Sequence, residues 1–245
     1  MNKELILTKV RKLLDLYSSG NLGDTTMPEG THPVFNNQEE KLLYYTFPMA
    51  LNYQRNSYKL WEAAKQTWED ETTKQIFDIK WVSEHTEEEL REKLLKYKLA
   101  LQPNKHIDTW KRISETIYSN WRSISKLIEW SEEDFLYLKE LIQKQHKKGF
   151  PYLSGPKIFN YWSYILTEYC DIELKYRNFI EIAPDTHVIQ ASVRLGVIEE
   201  DDISKLSREE VSKIWRSLLE GTGIDPIDVH SSLWFWSRGG FKVEV

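Results

Sequence analysis

Cysteine is almost absent from this chain of 245 residues; the single one is Cys170. One thiol excludes an internal disulfide and a Cys-ligated iron–sulfur cluster, and it suits a reducing compartment. No apolar run approaches the roughly 18 residues that a spanning helix needs. No signal peptide opens the chain, so the expectation is a soluble, intracellular protein. The six His are scattered and form no ligand cluster, and zinc spacing, a Walker loop, a serine triad and internal repeats are all missing. No metal site is expected. Positive charge is also in short supply. A net charge of −5 argues against a general nucleic-acid coat. Its distribution is uneven: positions 139–157 hold five Lys and one acid, Glu140, while acids gather at 84–92 and 199–202. What the chain has in quantity is aromatic side chains, with ten Trp and thirteen Tyr to build a core. Its length suits one large helical domain or two smaller lobes sharing a cleft.

Read in order, the periodicity is helical and the fold class is all-α. Leu5, Ile6, Val10, Leu13, Leu14 and Tyr17 make an amphipathic first helix. Positions 18–37 form a loop rich in Gly, Asn, Thr and Pro, long enough to be functional or mobile. From Gln38 an apolar helix carries Leu42, Leu43, Tyr45, Phe47 and Met49, with Pro48 as a kink. The next carries Tyr58, Leu60, Trp61, Ala64 and Trp68. Thr86 with Glu89 is a capping box, and so is Ser207 with Glu210. Ile107, Trp110, Ile113, Ile117 and Trp121 form an unbroken core stripe. Ser131 is expected to cap the helix of Phe135, Leu138, Leu141 and Ile142. Positions 171–183 are irregular. Gly221 and Gly223 end the helix of Val211, Ile214, Trp215, Leu218 and Leu219. A last helix begins near Asp225-Pro226 and carries Val229, Leu233, Trp234 and Trp236.

The chemistry concentrates in 147–187. Gly149, Pro151, Gly155 and Pro156 break the chain between two helices and make a tight hairpin beside Lys147 and Lys148. Such a turn is expected to point successive backbone N–H groups outward beside a helix N-terminus, which suits a phosphate. Lys157 opens the second helix, where the dipole and any burial favour the neutral, nucleophilic amine. Asp185 is expected to be the N-cap of the helix holding Val188, Val193 and Leu195, a place that keeps a carboxylate ionised.

Gly155-Pro156-Lys157 followed by Pro184-Asp185-Thr186-His187-Val188 resembles the helix-hairpin-helix DNA glycosylases. There a Gly-rich hairpin ends in a lysine, and an aspartate follows in a similar context. The usual Leu-Pro-Gly-Val-Gly is replaced by Pro151-Tyr152-Leu153-Ser154-Gly155, and the gap from Lys157 to Asp185 is longer than in the endonuclease III branch. Both departures resemble the archaeal 8-oxoguanine glycosylase branch. So do Tyr53-Gln54, the run Lys157-Ile158-Phe159-Asn160-Tyr161, and the segment from Gly223 to Trp234. The resemblance spans roughly 42–236.

The resemblance implies one glycosylase unit over 1–245, with lobe one at 50–160 and lobe two at 1–49 plus 161–245. It implies Lys157 as the Schiff-base nucleophile and Asp185 as its partner. Gln54 would bind the base edge, and Tyr161 and Trp234 would stack on its two faces. His230 falls on an aspartate that binds the base, which bears on the lesion taken. Lys147, Lys148, Gly149, Ser154 and Gly155 would hold DNA phosphates. The implied protein is a bifunctional glycosylase and abasic-site lyase for oxidised guanine. It would need no cofactor or iron–sulfur cluster and act as a monomer on damaged duplex DNA, in the cytoplasm at the nucleoid and away from membranes. Three alternatives stand beside it: a glycosylase for another damaged base, a non-catalytic DNA-binding module, and a helical protein-interaction domain.

Overall fold

The computed structural model describes residues 2–23 and 25–245, and all regular structure among them is helical. In chain order come α1 (Lys3–Ser18), α2 (Gln38–Ala50), α3 (Ser57–Glu69) and α4 (Ile79–Glu84). Then follow α5 (Glu87–Lys96), α6 (Pro103–Asn120), α7 (Ile124–Trp130) and α8 (Phe135–Glu140). The chain continues with α9 (Pro156–Tyr169), α10 (Thr186–Leu195), α11 (Arg208–Leu219) and α12 (Val229–Arg238). The all-α class read from the periodicity is correct. No described helix is long and apolar enough to cross a membrane.

The helices fall into two compact units, Pro28–Tyr176 and Met1–Met27 with Arg177–Val245. A division at 49/50 and 160/161 would cut α2 and α9, which each lie whole within the first of these. α2 and α9 pack on each other, which keeps both in one unit.

In the unit Pro28–Tyr176, α2 is the central helix, buried at every position of 42–50. Pro48 lies in its last turn, which closes with Leu51 N–H donating to Pro48 O. Aromatic rings surround it: Phe47 stacks on Trp110 at 4.8 Å, and Tyr44 meets Trp68 and Phe77. Two buried indoles also find acceptors, Trp110 on Ile76 O and Trp162 on Thr46 Oγ1. Burying each such ring stabilises the fold by about 1.5–3 kcal/mol. The Thr86 capping box opens α5 as expected.

Ser131 does not cap the hairpin helix. It closes α7, donating from its hydroxyl to Ile128 O, while Asp134 accepts from Leu136 N–H and Tyr137 N–H at the start of α8. The short α7 is capped by Ser123, and the Glu39 carboxylate on α2 also accepts from Ile124 N–H at 2.7 Å and Ser125 N–H at 2.8 Å.

The other unit has its own core. Ile6, Val10 and Leu13 of α1 meet Val188 and Leu195 of α10, Trp215 and Leu218 of α11, and Val229 and Leu233 of α12. Trp215 donates to Ser192 Oγ at 2.8 Å. The Ser207–Glu210 capping box opens α11. The last helix starts later than Pro226: residues Pro226–Asp228 form a 3-10 turn, and α12 begins at Val229.

Candidate catalytic and nucleic-acid-binding residues

The hairpin belongs to the unit Pro28–Tyr176. α8 runs into a π turn, Leu141–Gln145, then a 3-10 turn, Lys147–Gly149, before α9 starts with Gly155 as its N-cap and Pro156 at its first position. Phe150 and Leu153 are fully buried and pin the loop to the core. Gly149 is required by close approach: a Cβ there would stand 2.3 Å from Thr116 Oγ1 and 2.7 Å from its Cγ2 on α6.

The loop amides do not turn outward as expected. Gly149, Phe150, Leu153, Ser154 and Gly155 all donate their N–H groups to carbonyls between His146 and Tyr152. These donors are satisfied locally because the turn closes on itself. What it presents to solvent is charge: Lys147, Lys148 and Lys157 are all exposed, with Lys157 in the first turn of α9. A helix start of this kind attracts anions.

Gln54 is exposed in the α2–α3 connection, in the left-handed backbone region at φ 51°. The neighbouring Tyr53 ring lies 5.6 Å from that of Tyr152, so this connection borders the hairpin. Gln54 itself lines a shallow groove with Arg55, Lys59 and Tyr97.

Tyr161 stands one turn after Lys157 on α9 and is buried. Its hydroxyl donates to Glu29 Oε1 at 2.5 Å. Glu29 is 1% exposed, and burial pushes its carboxyl up from 4.5 to about 7, with the Tyr161 hydrogen bond pulling the other way. Tyr45 adds a hydrogen bond to the Glu29 carbonyl at 3.3 Å. Residues Pro28–Gly30 pack on α3, where the buried Trp61 Nε1–H has no hydrogen-bond partner among the described residues. A buried acid and an unmet indole donor are the polar groups that sequence reasoning missed. Glu29 sits in the loop 18–37, and nothing local in Met27-Pro28-Glu29-Gly30 announces a partner 132 positions away. Trp61 reads as one more core residue of an amphipathic helix.

The second group of candidates lies in the unit Met1–Met27 with Arg177–Val245. Asp185 is the N-cap of α10, as expected: Val188 N–H donates to its Oδ1 at 3.0 Å. Its Oδ2 accepts from Trp234 Nε1–H, also at 3.0 Å. Arg208 donates to the Asp185 carbonyl at 3.1 Å. The indole of Trp234 is 9% exposed and is braced by rings: His187 at 5.4 Å and Phe235 at 5.1 Å, both edge-on. The Arg238 guanidinium lies over it at 4.9 Å. His187 Nδ1 is 3.2 Å from Ser237 Oγ, which donates to Gln190 Oε1 at 2.9 Å, tying α10 to α12. His230 is buried one turn before Trp234 on α12. The start of α12 is fixed by Arg177, whose guanidinium reaches Asp225 at 2.9 Å and Asp228 at 2.7 Å.

The structure thus groups Lys147, Lys148, Gly149, Ser154, Gly155, Lys157 and Tyr161 along one hairpin and helix. It separately groups Asp185, His230 and Trp234 on α10 and α12. Burial pushes the Cys170 thiol up to about 12, and no cluster of His, Cys, Asp or Glu among the described residues could hold a metal ion. Compared with models of protein families and with curated proteins, the chain matches none.

Proposed function

We propose that the protein is a bifunctional DNA glycosylase and abasic-site lyase of the helix-hairpin-helix kind, acting on an oxidised purine such as 8-oxoguanine. The observation that carries this reading is Asp185: a half-buried carboxylate at a helix N-cap, held on both oxygens, in the Pro-Asp-Thr-His context of the resemblance. Support also comes from an exposed lysine opening α9 directly behind a basic hairpin.

The chemistry follows from those groups. A base in duplex DNA must be flipped out before it can be excised, at a cost of a few kcal/mol, and contacts to phosphates and to the base offset this. Lys147 and Lys148 bind the backbone as charges. The first turn of α9 adds a helix N-terminus. Tyr161 supplies a ring for a base face, and the exposed Gln54 an amide for a base edge. The exposed Lys157 ammonium first gives a proton to solvent; its amine then attacks C1′, the bond from C1′ to the base breaks, and the base leaves with the electron pair. By the resemblance, Asp185 would stabilise the positive charge on the sugar while that bond is breaking. The departing base anion takes the extra proton from the new C–N bond. Ring opening gives a Schiff base, and loss of a C2′ proton then expels the 3′ phosphate with its electron pair.

The test is covalent capture. Borohydride added to the protein with a duplex carrying one 8-oxoguanine is expected to fix the protein to DNA, and Lys157→Gln is expected to abolish the adduct without loss of fold. An undiminished adduct in that variant would assign the amine elsewhere. Absence of any adduct or strand cleavage with a panel of oxidised, deaminated and abasic duplexes would overturn the glycosylase reading and leave the non-catalytic DNA-binding module and the protein-interaction domain.

A further inference from the structure

Both oxygens of Asp185 are engaged, and the second donor is unusual. A helix N-cap needs only one carboxylate oxygen, which Val188 N–H occupies at 3.0 Å. The other oxygen takes a hydrogen bond from the indole of Trp234, a residue 49 positions on, in another helix. We infer that Trp234 is a positioning residue for Asp185, fixing the carboxylate through its indole N–H as well as presenting a ring to the base. This rests on the glycosylase reading and adds a role that stacking alone does not require.

The geometry argues for it at three levels. With one donor, a carboxylate can pivot about the bond that holds its captured oxygen. With a donor on each oxygen its plane is set, while each oxygen keeps a lone pair for substrate. The second donor is itself held in place. His187 and Phe235 meet the indole edge-on, Arg238 lies over the ring, and Ser237 links His187 to Gln190. His187 and Gln190 are on α10, the helix that Asp185 caps, so the donor and its acceptor are mounted on the same pair of helices. Finally, stacking on a base uses the face of an indole and is indifferent to its N–H. Any aromatic would serve for that, whereas the indole here also brings a donor to Oδ2 at 3.0 Å. A reacting group misplaced by about 1 Å can lose on the order of 10²-fold in rate, so fixing the carboxylate has a direct kinetic value.

The discriminating change removes one hydrogen and keeps the ring. Benzothienylalanine incorporated at position 234 by codon suppression has the shape and stacking face of Trp with sulfur in place of N–H; Trp234→Phe is the simpler companion. On a duplex with a single 8-oxoguanine, the analogue is expected to lower the single-turnover excision rate by roughly tenfold, the size of one hydrogen bond to a charged group. Affinity for a duplex containing a tetrahydrofuran abasic analogue should stay within about twofold, since phosphate contacts carry it. In ¹⁵N-indole spectra, the Trp234 N–H signal, identified by its loss in Trp234→Phe, should move in Asp185→Asn more than the other nine indole signals. An analogue that excises at the wild-type rate, or a Trp234 signal indifferent to Asp185→Asn, overturns the inference and leaves the glycosylase reading standing. A wild-type protein inactive on every lesion overturns that reading, and the inference with it.

Discussion

Glu29 gives the sharpest quantitative expectation. Its carboxyl is wholly buried, it accepts a hydrogen bond from Tyr161, and burial raises it from 4.5 to about 7. Below pH 4.5 the group is protonated in folded and unfolded chains alike and costs nothing. Between 4.5 and about 7 the unfolded chain releases the proton while the folded one keeps it, so stability falls as pH rises. Above about 7 the loss levels off. At about 1.4 kcal/mol per pKa unit, the full penalty is about 3 kcal/mol, and most of it develops between about pH 5 and pH 8. Glu29→Gln removes the titration but keeps an amide oxygen for the Tyr161 hydroxyl. The variant is therefore expected to gain on the parent by about 2–3 kcal/mol as pH goes from about 5 to 8. At roughly 2–4 °C per kcal/mol for a chain of this size, the difference in melting temperature should widen by about 5–10 °C. Calorimetric melts of both proteins at constant ionic strength measure this directly, because every other titrating group cancels in the difference. Parallel pH curves, or a variant that loses ground as pH rises, would refute the account of Glu29 as a buried acid raised by desolvation.

Two further expectations concern the hairpin. Gly149→Ala puts a methyl group 2.3 Å from Thr116 Oγ1, so denaturant melts should show destabilisation by about 1–3 kcal/mol, partly recovered when Thr116→Ala is added. A fully stable Gly149→Ala variant would mean that the loop and α6 do not touch in solution. Replacing the exposed Lys147 and Lys148 by Ala should weaken binding to every duplex sequence alike. It should also flatten the salt dependence of affinity, by about 0.9 in the log–log slope for each phosphate that is no longer neutralised; an unchanged slope would make the pair a solvated face only.

The parts of the structure legible in the sequence are those that local spacing determines. Thr86 with Glu89 and Ser207 with Glu210 close their capping boxes, and Asp185 caps α10, because the partners are three residues apart. The stripe through Ile107, Trp110, Ile113 and Ile117 is buried along α6 because its period is that of the helix. Short elements escape. α4 and α7 are six and seven residues long, too short to show a period, and without α7 Ser131 looks like the start of the next helix rather than the end of the last. Distant pairings escape too. Glu29 with Tyr161 and Asp185 with Trp234 join side chains whose separations carry no local signature. The hairpin shows the same limit from another side: its Gly and Pro residues mark a turn, but which way the amides face depends on carbonyls that the turn alone brings near.

The carboxylate of Glu39 at the head of α7 has a consequence for how the chain acquires its shape. Seven residues are well below the roughly 12–15 at which an isolated helix becomes even marginal in water. Its first amides, Ile124 and Ser125, find their charged acceptor 85 and 86 residues earlier in the chain. α7 is thus expected to become helical when α2 arrives, not before, placing it among the late events whose loops must close first. Pulse-labelled hydrogen exchange during refolding would show it: protection within α7 should rise together with that of α2 and lag behind α6, whose eighteen residues have a stripe of their own.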